Sequence, residues 1–225
     1  MKSFIIRLSK IDSSLKSATR LKSQLEAFDM SAELFEGSYG DIIAKKYKEE
    51  NRILHPWGIK GPNRLFPMDY RISFGTPGEK GCFDSHYRLW EKCVEINESI
   101  LIFEDDANVT RKFIPVEWED VLSVVSSHTK KMGNYTKYLE DSRDVPAATF
   151  YKQSSMPGNA GYAIKPHAAK ILVQEYKNTF LPADNAINQA LVKIQIHNHM
   201  MGKAEPRDST HGKSSLIRTN LWDIT

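Results

Sequence analysis

Three consecutive carboxylates, Glu104-Asp105-Asp106, follow directly on the apolar run Leu101-Ile102-Phe103. Acids at the exit of a buried strand are costly to place unless a cation sits among them. Hard oxygen ligands suit Mg2+ or Mn2+, which keep open positions for phosphate oxygens. Residues two apart on a strand share a side, so Glu104 and Asp106 can face one ligand together. The plain alternative is an acidic turn or a helix-cap cluster, and the triplet alone leaves the two balanced. Ser85 and His86 suggest a nucleophilic pair, but neighbours on a helix diverge by about 100°, and no third member is evident. His197-Asn198-His199 shares letters with a nuclease triplet, yet its histidines alternate with Ile194, Ile196 and Met200 as on a strand. The chain has no P-loop and no G-x-G-x-x-G, which weighs against a kinase or a dehydrogenase.

The acids need a strand beneath them, and Ser99 to Phe103 reads as one. In open α/β sheets ligands bind beyond the carboxyl ends of strands, where this triplet should emerge. The N-terminus supports such a sheet. Phe4 to Leu8 reads as a buried strand, and Leu15, Ala18, Leu21, Leu25 and Phe28 recur at helical spacing. Ala32 to Phe35 can return as a second strand, and strand-helix-strand is the signature of a parallel sheet. Further on, Asp84 or Ser85 is expected to cap a helix with Phe83, Tyr87, Trp90 and Val94 on one face. Trp118 to Ser126 reads as helical and Gly161 to Ile164 as a strand. Pro166 sits where a helix begins, and Asp184 opens another with Ile187, Ala190, Leu191 and Ile194 on its buried side.

The bulk properties allow such a domain. The chain has 225 residues, 40% of them apolar and 26% charged, with a net charge of +3. That composition excludes disordered, collagen-like and low-complexity proteins, and the length suits one domain spanning residues 1–225. The charge is uneven: Lys45 to Arg71 holds seven basic and three acidic residues, net +4, leaving −1 for the rest. This part of an irregular excursion at about 45–76 is either a solvated face or a basic lip that attracts a phosphorylated donor or anionic acceptor. Asn134 to Pro157 is polar and irregular, and the tail after Met201 is polar and basic. Phe4 to Ile6 is too short for a signal-peptide core or a membrane span, which needs about 20 residues. Cys82 and Cys93 are the two cysteines. On one helix they lie about 16 Å apart, beyond disulfide reach, and read as small buried hydrophobes. A cytoplasmic protein is expected.

A family resemblance sharpens this. Gly78-Glu79-Lys80-Gly81-Cys82-Phe83-Asp84-Ser85-His86, followed by Trp90, resembles the G-E-x-G-C-x-x-S-H…W signature of glycosyltransferase family 25. Glu104-Asp105-Asp106-Ala107 resembles its E-D-D-A block. Ala160 to Ile164 with Ala168 to Leu172 resembles the G-Y-x-I…A-x-x-L segment, and Pro182-Ala183-Asp184 its P-x-D. The family's first strand usually reads I-N-L; here Arg7 replaces the Asn, and Arg20 can supply a later Arg. The Lys45–Arg71 region and the residues after Lys193 align poorly.

The resemblance implies a single GT-A-like, Rossmann-like α/β domain, with a mostly parallel central sheet flanked by helices. It implies a nucleotide-sugar donor, a UDP-sugar first of all, and Mn2+ or Mg2+ held by Glu104 and Asp106, with His211 as a late third ligand. Asp184 becomes the candidate base of an inverting hexosyltransferase, set against the reading of an N-cap. Glu79, Ser85 and His86 are placed at the donor pocket or its loop, Asp105 at the donor's ribose or a neighbouring group, and Lys213 with Arg218 at the diphosphate. The acceptor by family weight is a lipopolysaccharide or other surface-glycan saccharide. A hydroxymethylated base in DNA is the alternative that the basic segments keep open. A non-catalytic nucleotide-sugar-binding module is the reading from another class.

Overall fold

The computed structural model describes residues 1–56, 75–126, 145–150, 155–156 and 160–205. The order begins with β1 (Lys2–Arg7), α1 (Asp12–Glu26), β2 (Ala32–Glu36), α2 (Gly40–Glu49), β3 (Ile53–Leu54) and α3 (Pro77–Ile96). It continues with β4 (Ile100–Glu104), β5 (Ala107–Val109), β6 (Val121–Ser123), β7 (Val125–Ser126), β8 (Ala148–Phe150) and β9 (Gly161–Ile164). The last elements are α4 (Pro166–Glu175), β10 (Thr179–Phe180), α5 (Ala183–Ala186), β11 (Ile194–His197) and β12 (Gly202–Ala204). The expected N-terminal unit forms, with Ala18, Leu21 and Leu25 on the buried stripe of α1.

The central sheet has seven strands in the order β2-β1-β4-β9-β6-β11-β8. It is mixed, which corrects the expectation of a mostly parallel sheet. β1 runs parallel to β2 and β4, and β6 parallel to β11, but β9 is antiparallel to both its neighbours and β8 to β11. The polarity changes at β9, which runs antiparallel to β4 on one side and to β6 on the other. β5, β12 and β7 form a small second sheet, and β3 pairs with β10.

The core lies on both faces of the sheet, as the alternation of side chains along β4 requires. Ile100 and Ile102 pack with Phe83, Trp90, Tyr162, Leu172 and Tyr176 on the side of α2, α3 and α4. Leu101 and Phe103 pack with α1 and the small sheet on the other side. Among the described residues no helix is long and apolar enough to cross a membrane.

Four local readings change. Trp118 to Ser126 is not a helix: it holds β6, between β9 and β11 in the central sheet, and β7, an edge of the small sheet, both buried. The helix opened by Asp184 ends after four residues, and Ile194 lies on β11. Asn188 ends it, donating to Asn185 and Ala186 carbonyls while accepting from Ala190 N, so local side-chain bonds replace helical ones. The long helix α3 begins at Pro77 and is capped by Thr76, eight residues before the first of its expected caps, Asp84 or Ser85. The first residues of the basic excursion, Lys45 to Glu49, are the second half of α2.

Candidate active site

β1 sends its chain to β2 on one side while β4 stands on the other, so the sheet's topological switch lies between β1 and β4. That crevice, outside the carboxyl ends of the strands, is where open α/β sheets take ligands. Glu104 is the last residue of β4, in register with Ile6, and its amide donates to Ala160 O at 2.9 Å. Asp105, 7% exposed, and the half-buried Asp106 form the turn that leads into β5. The switch is laced together nearby: Ser9 N, Ser9 Oγ and Tyr39 Oη all donate to Glu36 Oε1, tying the ends of β1 and β2.

Helix α3 supplies the wall facing the acidic turn. Its start is fixed by a capping box, in which Glu79 N donates to Thr76 Oγ1 and Glu79 Oε2 accepts from Thr76 N and Gly75 N. Its first turns press against the loop before α2. A Cβ on Gly81 would lie 2.5 Å from Ser38 O, and one on Gly40 would lie 2.4 Å from Pro77 O, so both positions need glycine for close approach. Ser85 Oγ accepts from Ser38 N and donates to Gly81 O, while the buried Asp84 accepts from Ser38 Oγ and Tyr47 Oη and faces Lys46 at 3.8 Å. Glu79, Ser85 and Asp84 therefore shape and anchor the helix through these bonds.

His86 points the other way from Ser85, toward the sheet. It is fully buried, with Nε2 3.2 Å from Glu104 Oε1 and Nδ1 2.9 Å from Tyr162 Oη. Tyr162 Oη also accepts from Trp90 Nε1 at 2.8 Å. Burial pushes the imidazole down to about 4, against the opposing pull of the Asp184 charge, so His86 is neutral at physiological pH. Burial likewise raises the Tyr162 phenol well above its usual range, keeping it a donor. Cys82, one helical turn before His86, donates to Glu104 Oε1 over 3.9 Å. Among the described residues, Cys82, His86 and Glu104 are the ligating side chains drawn within 4.8 Å of one another.

Asp184 sits in the first turn of α5, where Pro182 and not Asp184 takes the N-cap. Its carbonyl accepts from Met156 N, and its charge is felt at His86. The structure thus gathers Glu104, His86 and Asp184 in one neighbourhood, with Asp105 and Asp106 on the adjoining turn. His211, Lys213 and Arg218 lie outside the described residues. Two participants escape a reading of the letters. Cys82 has the i, i+4 spacing to His86 that puts both on one helix face. Tyr162 carries a polar tip in an otherwise apolar strand, a sign that its hydroxyl needs a partner.

Fold and site define an α/β domain with a carboxylate-rich turn at the topological switch of its sheet. The sequence model of glycosyltransferase family 25 (LPS biosynthesis protein) matches residues 1–187, and the chain belongs to that family. It is 29% identical over 153 residues to lipooligosaccharide biosynthesis protein lex-1 of Haemophilus influenzae, covering 58% of this chain and 48% of that one. It is 30% identical over 135 residues to a glycosyltransferase 25 family member of Aedes aegypti, covering 55% of this chain and 21% of the relative. A glycosyltransferase 25 family member of Anopheles gambiae is 30% identical over 89 residues, 39% of this chain and 14% of its own. The chain spans less than half the length of these curated relatives.

Proposed function

We propose that this chain is a divalent-cation-dependent hexosyltransferase that moves a hexose from a UDP-sugar to a hydroxyl of a lipopolysaccharide or other surface-glycan saccharide, with inversion. The observation that carries the reading is the acidic turn Glu104-Asp105-Asp106 at the carboxyl end of β4, beside β1 at the switch of the sheet. The saccharide acceptor is favoured by the Haemophilus relative, whose name places it in lipooligosaccharide biosynthesis.

The donor set fits a hard cation. Three carboxylates on consecutive residues offer the oxygen ligands that Mg2+ and Mn2+ prefer. The sulfur and imidazole of Cys82 and His86 suit softer metals, and their contacts to Glu104 Oε1 read as hydrogen bonds. Glu104 and Asp106, with His211 beyond them, would hold the ion, which when bound supplies charge neutralisation for the departing diphosphate. Lys213 would add a cation to the same phosphates, and Asp105 would accept from the donor's ribose. Glu79, Ser85 and His86 would act on the pocket by fixing the helix and the carboxylate that border it. Asp184 would take the proton of the acceptor hydroxyl as its oxygen bonds to the anomeric carbon and the bond to UDP breaks, a role worth about 10²–10⁴-fold in rate.

Incubation with Mn2+ and a panel of UDP-sugars, with and without saccharide acceptors, tests the reading through UDP release. We expect turnover that EDTA abolishes and that Glu104→Ala and Asp106→Ala both lose. Wild-type protein that turns over no nucleotide-sugar with metal present would instead mark a binding module.

A further inference from the structure

Three buried polar groups and the partly buried Glu104, from three elements, form one chain: Trp90 Nε1 to Tyr162 Oη at 2.8 Å, Tyr162 Oη to His86 Nδ1 at 2.9 Å, and His86 Nε2 to Glu104 Oε1 at 3.2 Å. Trp90, Tyr162 and His86 are all 0% exposed, so water cannot repair a mismatched bond among them. The chemistry of the two ends sets the direction. An indole N–H only donates, and a carboxylate only accepts. The imidazole must therefore carry its proton on Nε2, because a bare Nε2 would set two acceptors against each other in the interior. Its Nδ1 is then a bare lone pair that needs a donor, and Tyr162, already accepting from Trp90, has its one hydroxyl proton to give. Every group is satisfied in this arrangement, whereas the opposite tautomer leaves Nε2 and Glu104 opposed.

We infer that Tyr162 is a positioning residue, whose hydroxyl donates to His86 Nδ1, fixes the Nε2–H tautomer, and thereby holds the Glu104 carboxylate in the orientation its cation requires. This rests on the proposed reading of Glu104 as a cation ligand. Glu104 stands at the last position of β4, and a carboxylate torsion there is broad unless something grips an oxygen. The grip is rigid at its root: the Tyr162 ring stacks on His86 with centroids 5.7 Å apart, and Tyr162 pairs with Ile102 across β9 and β4. Outer partners that orient a ligand in this way typically contribute about 10–100-fold to metal affinity or activity.

Two measurements test it. The first uses unmodified protein: long-range 1H–15N correlation on histidine-labelled, metal-free material at neutral pH reads the His86 tautomer directly. We expect the Nε2–H form, and the Nδ1–H form would overturn the relay. The second compares Mn2+ binding, by electron paramagnetic resonance of the free ion, in wild type and Tyr162→Phe, with circular dichroism as the check on fold. The variant should bind Mn2+ about 10–100-fold more weakly and show mixed His86 tautomers. A folded Tyr162→Phe that binds Mn2+ as tightly as wild type overturns the positioning role. Wild type that binds no Mn2+ overturns the cation reading of Glu104 and the purpose assigned to the relay, while the tautomer still decides whether the relay exists.

Discussion

Asp184 is the proposed base, and its placement in the first turn of α5 separates that role from the N-cap role its sequence context suggests. Pro182 holds the N-cap of α5, so removing the Asp184 charge does not remove that cap. Asp184→Asn should therefore fold normally and bind donor, yet lose about 10²–10⁴-fold in transfer to acceptor. Steady-state kinetics with separate donor-binding measurements would check this, and normal turnover would sink the base assignment. His86 makes a second prediction, on stability. The unfolded imidazole takes up a proton near 6.5, while burial holds the folded one to about 4. Between those values the unfolded state binds more protons, so stability is full above pH 6.5 and falls as the pH drops, by roughly 3 kcal/mol on reaching pH 4. Urea unfolding of metal-free protein at pH 7.5 and 4.5 should show this fall. His86→Gln, less stable at neutral pH, should lack that part of the slope.

At the scale of elements, α3 is the organiser, since it presents Cys82 and His86 to the acidic turn and Phe83 and Trp90 to the core. Its start was readable in principle: Thr76-Pro77-Gly78-Glu79 spells a capping box with proline in the first turn. The apolar face of Phe83, Tyr87, Trp90 and Val94 instead suggests a cap at Asp84 or Ser85. Gly81→Ala sets two effects against each other. Alanine gains about 1 kcal/mol in helix propensity, but its Cβ would sit 2.5 Å from Ser38 O. Backbone cannot yield as a flexible side chain does, so overpacking should win and the net loss should be about 1–2 kcal/mol. Glu79→Ala should cost about 1 kcal/mol through the lost cap. Denaturation midpoints decide both, and a stabilised Gly81→Ala would mean that the loop at 38–40 moves away. Trp118 to Ser126 and Ile187 to Ile194 were read as helices because apolar residues fall at spacings of three and four. In the first, the short buried strands β6 and β7 mimic that pattern and their pairing distinguishes them. In the second, turns held by Asn188 carry the chain from Ile187 to the start of β11 at Ile194.

Across the whole molecule, the small net charge averages unlike parts, an acidic turn at the switch and basic runs elsewhere. With a neutral saccharide as acceptor, the acceptor KM should change little between 50 and 200 mM salt. A polyanionic acceptor such as DNA would lose affinity by orders of magnitude over the same range. Titrating salt into the transfer assay therefore tests the acceptor class without knowledge of the sugar. The amino-acid sequence alone determined the α/β class, the first strand-helix-strand unit, the strand that bears the acids, and the family blocks around them. These are local: each is a periodicity or a run of residues whose chemistry acts within a few positions. The tertiary structure alone decided that the sheet is mixed, and that Trp90, Tyr162, His86 and Glu104 share one hydrogen-bonded line. Strand direction and such contacts depend on register between distant segments, the bonds of this line spanning 18 to 76 residues, and hydrogen bonding across that distance leaves no period in the chain to read.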